Sequence, residues 1–182
     1  MPNAKTNSEA NVSLVVNGGL EVVVMIVRSD AFENGAPIPT RFTGDGKDVS
    51  PPLSWEGVPD AAEQLVVICE DPDAPTLEPW VHWVLYEIPP ETESLPEGLP
   101  TIGKLEVPPG SLQGKNSWPH GNTTGYRGPM PPHGHGIHHY HFRLYALDTK
   151  FDFEPGLEKR TLLSAMAGHI LAEAELVGTY EK

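Results

Sequence analysis

One cysteine, Cys69, stands in 182 residues, so no disulfide can form within the chain. That fits a reducing compartment, and cytoplasmic residence is the expectation. Cys69 closes the apolar run that begins at Leu65, a setting in which a buried, inert thiol is expected. Long apolar runs are lacking too. Residues 22–27 (VVVMIV) follow Glu21 without a basic flank, so they do not read as a signal peptide, and they fall far short of the roughly 20 apolar residues of a membrane span. Basic residues are scarce: 12 Lys and Arg stand against 25 Asp and Glu, a formal net charge of −13. Such a surface repels nucleic-acid backbones and anionic membrane faces. A small anion is not excluded, because salt screens the global field over roughly 8–10 Å and a local cluster of donors acts inside that distance.

What is abundant is proline and glycine, 20 and 18 residues, scattered between apolar runs. That composition points to a loop-rich, strand-based fold. The length suits one domain, and a chain of this size removes roughly 70% of its unfolded surface from water. Residues 1–11 are polar and aperiodic and read as a flexible leader, leaving 12–182 as a single domain. The β-branched runs around Asn17-Gly18-Gly19 predict a hairpin over residues 12–28. Residues 30–55 and 89–136 are too rich in turn formers for regular elements. Strands are expected at residues 64–70, 80–88 and 137–148. In the last, a two-residue period puts His138, Tyr140, Phe142 and Leu144 on one face and His139, His141, Arg143 and Tyr145 on the other. Leu162, Met166, Ile170, Ala174 and Val177 recur at helical spacing, which predicts one main helix over 158–175 with Gly178 as its cap.

Two constellations carry chemistry. Asp71-Pro72-Asp73-Ala74-Pro75 precedes Trp80-Val81-His82-Trp83, so proline-clamped carboxylates lie next to a histidine in an aromatic strand. A carboxylate close to His82 raises its pKa and sets its tautomer. The second runs from Gly128 to Phe142 (GPMPPHGHGIHHYHF) and holds most of the eight histidines. Glycines that admit backbone N–H groups, with the donors of His138 and Tyr140, make an anion pocket the expectation. Metal binding by the histidines of 133–141 is a rival reading, although the spacing matches no zinc signature. Nucleophilic catalysis finds neither a GxSxG elbow nor a phosphate loop.

With those strings on the page, the chain resembles the phosphatidylethanolamine-binding protein family, and within it the bacterial and archaeal branch of Raf kinase inhibitor-like proteins. The resemblance runs from about Leu20 to Tyr180 through SDAFENGAPIPTRFTGDGKDVSPPLSW, EDPDAPTLEPWVHW, GKNSWPHGNTTGYRGPMPPHGHGIHHYHFRLYALD and AMAGHILAEAELVGTY. It implies a mostly β fold, a large central antiparallel sheet packed on a smaller one, with an anion pocket at one end of the sheet. The implied pocket residues are Asp71, His82, His138 and Tyr140, with Gly128, Met130, Pro131 and Pro132 along the rim and Asp73 and Pro75 shaping the first loop. The same loop implies a cis Ala74–Pro75 bond, and Glu78–Pro79 is a second candidate.

Two departures stand out. Met130 takes the place of a cysteine common in bacterial relatives, and His139 the place of an arginine. The chain ends soon after the expected helix, so an open pocket is anticipated. The resemblance implies binding of a small anion or phosphorylated ligand, without cofactor or metal and without catalysis. The partners it implies are a protein kinase or protease to be inhibited and, for assembly, a second copy of the chain. The competing reading is a phosphoester or lipid hydrolase in which Asp71, His82 and His138 perform acid–base work. Anion binding is expected to strengthen from about pH 8 to about pH 6 as His82 or His138 gains a proton.

Overall fold

The computed structural model describes residues 24–182. The expected leader over 1–11 and most of the expected hairpin over 12–28 lie outside the described residues. In chain order the elements are β1 (Ile26–Arg28), a short 3-10 helix (Thr40–Phe42), β2 (Leu53–Glu56), β3 (Gln64–Asp71), β4 (Trp80–Ile88), β5 (Ser94–Leu95), β6 (Leu112–Gln113), β7 (His138–Leu147), α1 (Lys159–Met166) and β8 (Ile170–Tyr180). Two antiparallel sheets result: a five-stranded one ordered β6-β4-β3-β7-β8 and a three-stranded one ordered β1-β2-β5. Among the described residues no helix is long and apolar enough to cross a membrane.

β3 lies at the centre of the large sheet and is buried along its whole length, as its unbroken apolar run requires. One face of the sheet carries Leu65, Val67, Trp83, Leu85, Phe142 and Leu144 and packs on Val27, Leu53, Trp55 and Leu95 of the small sheet. Cys69 lies in this layer, buried, and desolvation pushes its thiol pKa up, so it is inert as expected. The other face carries Val66, Ile68, Val84, Tyr86 and Leu147 and is covered by Leu162 and Met166 of α1. β7 alternates as its sequence predicts: His138, Tyr140, Phe142 and Leu144 are buried and His139 is exposed.

The expected helix over 158–175 is shorter than its stripe. α1 stops at Met166, Gly168 turns the chain at φ +85°, and residues from Ile170 form β8. The reason is arithmetic. Ile170 and Ala174 lie four residues apart, a spacing that satisfies one helix face and one strand face alike. The alternation Ala172-Glu173-Ala174-Glu175-Leu176 decides for the strand, with the apolar members buried. Gly178 is therefore not a helix cap. It sits opposite Tyr140 in the sheet, and a Cβ there would meet Ile38 Cγ1 at 2.4 Å.

The proline expectation also changes. The cis bond among the described residues is Val107–Pro108, and Ala74–Pro75 and Glu78–Pro79 are trans. Thr76 N–H donates to the Ala74 carbonyl at 2.7 Å. A three-residue turn of that kind about Pro75 needs the Ala74 carbonyl on the same side as the following Cα, which is the trans arrangement.

Candidate functional site

A slip in strand pairing builds the site. Cys69 pairs with Trp83 across β3 and β4, but the next pair is Glu70 with Val81, so His82 is the extra residue of a β-bulge. Strict alternation would turn His82 toward α1. With the bulge, Trp83 joins the core between the sheets, Val81 joins the layer under α1, and His82 lines the same cavity as Tyr140 and His138.

That cavity, of about 200 Å³, lies at the end of the large sheet. Asp71 closes β3, and its Oδ2 accepts the His138 Nδ1–H at 2.7 Å, with both side chains almost fully buried. Asp71 Oδ1 accepts the Asp73 N–H at 2.8 Å, so both carboxylate oxygens are engaged. Pro75 and its neighbours Ala74 and Thr76 form one wall, Met130, Pro131 and Pro132 another, and Trp80 and Trp118 a third. Trp118 meets His82 edge-on at 5.0 Å, and Tyr140 meets the same ring at 5.0 Å. The Arg127 guanidinium covers the Trp118 ring at 4.7 Å.

The protonation states follow from the partners. His82 Nδ1 lies 2.5 Å from the Arg127 carbonyl, an acceptor only, so Nδ1 carries the hydrogen and Nε2 is left with a lone pair. Burial pushes the His82 pKa down to about 4, against the pull of the Arg127 carbonyl, Asp71, Asp48 and the Gly128 carbonyl. His82 is thus a neutral acceptor, which corrects the expectation that Asp71 would charge it. Burial raises the Tyr140 phenol, with Asp71 acting in the same direction, so its O–H is retained. His138 Nε2 lies 2.9 Å from His135 Nδ1. In the neutral tautomer that gives its Nδ1–H to Asp71, His138 has only a lone pair at Nε2, and His135 is then the donor in that contact.

Eight of the ten residues expected at the site line the cavity, and Asp73 and Gly128 do not. Asp73 faces outward, where Oδ2 accepts from the His139 N–H at 2.9 Å and from its ring at 2.7 Å. Partial burial would raise its pKa, but these bonds hold it below the usual range. His139 is occupied by this clamp and does not face the pocket. Gly128 stands behind the wall. Its N–H donates to Asp48 Oδ1, and a Cβ would strike the Phe42 carbonyl at 2.2 Å. Sequence reasoning missed Trp118 and the contact of His135 with His138. An isolated tryptophan in a Gly/Pro loop was the only signal for the first, and loop closure over many residues decides the second.

A larger open groove, of about 760 Å³, lies on the α1 side of the sheet. Its Lys115 pairs with Glu158 and its Lys159 with Glu70, so those cations are already engaged. Among the described residues no three His, Cys, Asp or Glu side chains converge to hold a metal.

A family model for phosphatidylethanolamine-binding protein matches residues 28–181. The chain belongs to the phosphatidylethanolamine-binding protein family. A relative in Methanothermobacter thermautotrophicus, named only as a UPF0098 protein, is 51% identical over 158 residues, covering 87% of this chain and 99% of its own length. The family's fold is matched in solved structures. YbcL of Escherichia coli, described as a member of the mammalian family, aligns with TM-score 0.79 at 31% identity over 87% of this chain and 98% of its own. A homolog from Chlamydia trachomatis aligns with TM-score 0.75 at 41% identity over 87% and 97%. Within this family frame, the mostly β architecture and the two antiparallel sheets are those anticipated from the sequence.

Proposed function

We propose that this chain is a binding module for a small phosphate-bearing group. The observation that carries the reading is the buried Asp71–His138 pair, 2.7 Å apart, in a cavity where no group among the described residues engages the Tyr140 hydroxyl. At about 200 Å³ the cavity is below the roughly 300–1,000 Å³ of clefts that hold drug-sized ligands, and it suits a headgroup or a single phosphorylated side chain. A phosphorylated segment of a kinase or protease would meet it the same way. The hydrolase reading needs a nucleophile beside the dyad. The partners of His138 are Asp71 and His135, and the Thr76 hydroxyl is directed to the Glu78 carbonyl. The arrangement therefore favours binding without turnover.

Titration calorimetry with inorganic phosphate tests this. Binding should be measurable for the wild type and fall at least about tenfold in Tyr140→Phe, which removes the hydroxyl donor that lines the cavity, since a hydrogen bond to a charged group is worth about 1.5–3 kcal/mol. Equal affinity in the variant would overturn the site, and phosphoester turnover abolished by His138→Ala would overturn the non-catalytic reading.

A further inference from the structure

The donors and acceptors around the pocket are unevenly balanced. The rim is poor in donors, contrary to what its glycines led the sequence to predict. Pro129, Pro131 and Pro132 have no N–H, and the Gly128 N–H is bonded to Asp48. In the opposite loop, the Asp73 N–H goes to Asp71 and the Thr76 N–H to Ala74. Among the described residues no lysine or arginine lines the cavity. Its polar lining includes the Asp71 carboxylate, the His82 Nε2 lone pair and the Tyr140 hydroxyl, beside the indole rings of Trp80 and Trp118.

A fully ionised oxyanion fits such a site badly. Each of its oxygens is an acceptor only, and it would face another lone pair at His82 and a negative charge at Asp71. A phosphate that keeps one proton fits. Its P–OH donates to His82 Nε2, while an ionised oxygen accepts from Tyr140 and from the His135 Nδ1–H when that ring turns from His138. We propose that the pocket takes a phosphate group that still carries one proton, and so favours phosphate monoesters and inorganic phosphate over diesters and sulfate. The inference rests on the phosphate-group reading and narrows it, because a diester headgroup has no P–OH to offer.

The geometry that carries it is the 2.5 Å contact from His82 Nδ1 to the Arg127 carbonyl, which fixes the lone pair on the pocket side. The titratable and charged groups facing His82 are Asp71 on β3, Tyr140 on β7 and Asp48 on the segment between the 3-10 helix and β2. The Arg127 guanidinium is held on the far ring, over Trp118. None of these supplies a cation that would make room for a second negative charge on the ligand.

Phosphoethanolamine and glycerophosphoethanolamine carry the same ammonium and differ in having one ester bond or two. Calorimetry with these two, inorganic phosphate and sulfate, at matched ionic strength and at about pH 5.5 and about pH 7.5, brackets the monoester's second pKa near 6. Phosphoethanolamine should bind at least about tenfold tighter at the lower pH, and at that pH at least about tenfold tighter than the diester or sulfate. Sulfate keeps its charge throughout, so its own pH response subtracts any contribution from the protein. In His82→Gln the side-chain amide can turn an N–H to the ligand, and the advantage over sulfate should shrink to within about threefold. Diester or sulfate binding equal to the monoester in the wild type would overturn the proposal while leaving the phosphate-group reading intact. Absence of binding by all four ligands would remove that reading, and this inference with it. If His82→Gln does not fold, the wild-type series decides alone.

Discussion

Acidification should weaken the fold through His82 in a calculable way. The ring is buried among Trp118 and Tyr140, and its pKa is pushed down to about 4 from the ordinary 6.5. Above pH 6.5 both folded and unfolded chains hold the neutral ring, and it adds no pH dependence. Below that value the unfolded chain takes up a proton that the folded chain refuses, so stability falls progressively until about pH 4 and then levels off. Integrated from pH 7 to pH 4.5, the loss amounts to about 2.5 kcal/mol from this one residue. Carboxylates such as Glu175, which His141 holds low against the opposing effect of burial, and Asp148, which His169 holds low, begin to cost stability only toward the acid end of this range and below it. The measurement is therefore a difference of differences. Urea unfolding of the wild type and of His82→Gln, followed by tryptophan fluorescence at both pH values, cancels every group but His82. The variant should lose about 2–3 kcal/mol less than the wild type over this range. Equal losses would show that His82 titrates normally in the folded protein, and the neutral-acceptor description of the pocket would fall.

Three further outcomes follow from packing. Gly178→Ala puts a methyl group 2.4 Å from Ile38 Cγ1 and 2.8 Å from Phe32 Cε2, and should cost about 1–3 kcal/mol, a drop of several degrees in the melting temperature. Tyr126→Phe removes a buried O–H that donates to the Phe42 carbonyl at 2.7 Å, and should cost about 1–2 kcal/mol in urea melts by leaving that carbonyl unpaired. Glu70→Gln removes the charge that joins Arg143 and Lys159 on the outer face, and should cost about 1–3 kcal/mol by taking away the carboxylate partner of the partly buried Lys159 and leaving Arg143 to Glu175; high salt should narrow the gap between variant and wild type.

How much of this could be read in the sequence depended on range. β3, β4 and β7 were legible because apolar runs and alternation are local signals, and His138 and Tyr140 were correctly placed on one buried face. β8 was hidden by a coincidence of periods, since a spacing of four suits a helix and a strand equally. The resemblance to a known family supplied the grouping of Asp71, His82 and His138, but it did not supply their protonation states. Those depend on the Arg127 carbonyl and on burial, which exist only once residues 82 and 127 have met. The donor poverty of the rim was visible in Pro129, Pro131 and Pro132. The permissiveness of the neighbouring glycines drew more weight than the missing N–H groups.

The bulge at His82 ties the pocket to the length of one strand rather than to the identity of one side chain. Deleting His82, the one residue between Val81 and Trp83, would restore regular pairing of β3 with β4, with Val81 still under α1 and Trp83 still in the core between the sheets. Such a chain would keep its sheet, and its ladder would gain regularity, yet the cavity would lose its imidazole. For anyone transplanting this pocket into another β scaffold, the part to copy is an inserted residue: a two-against-one step in the ladder, with histidine as the one left over.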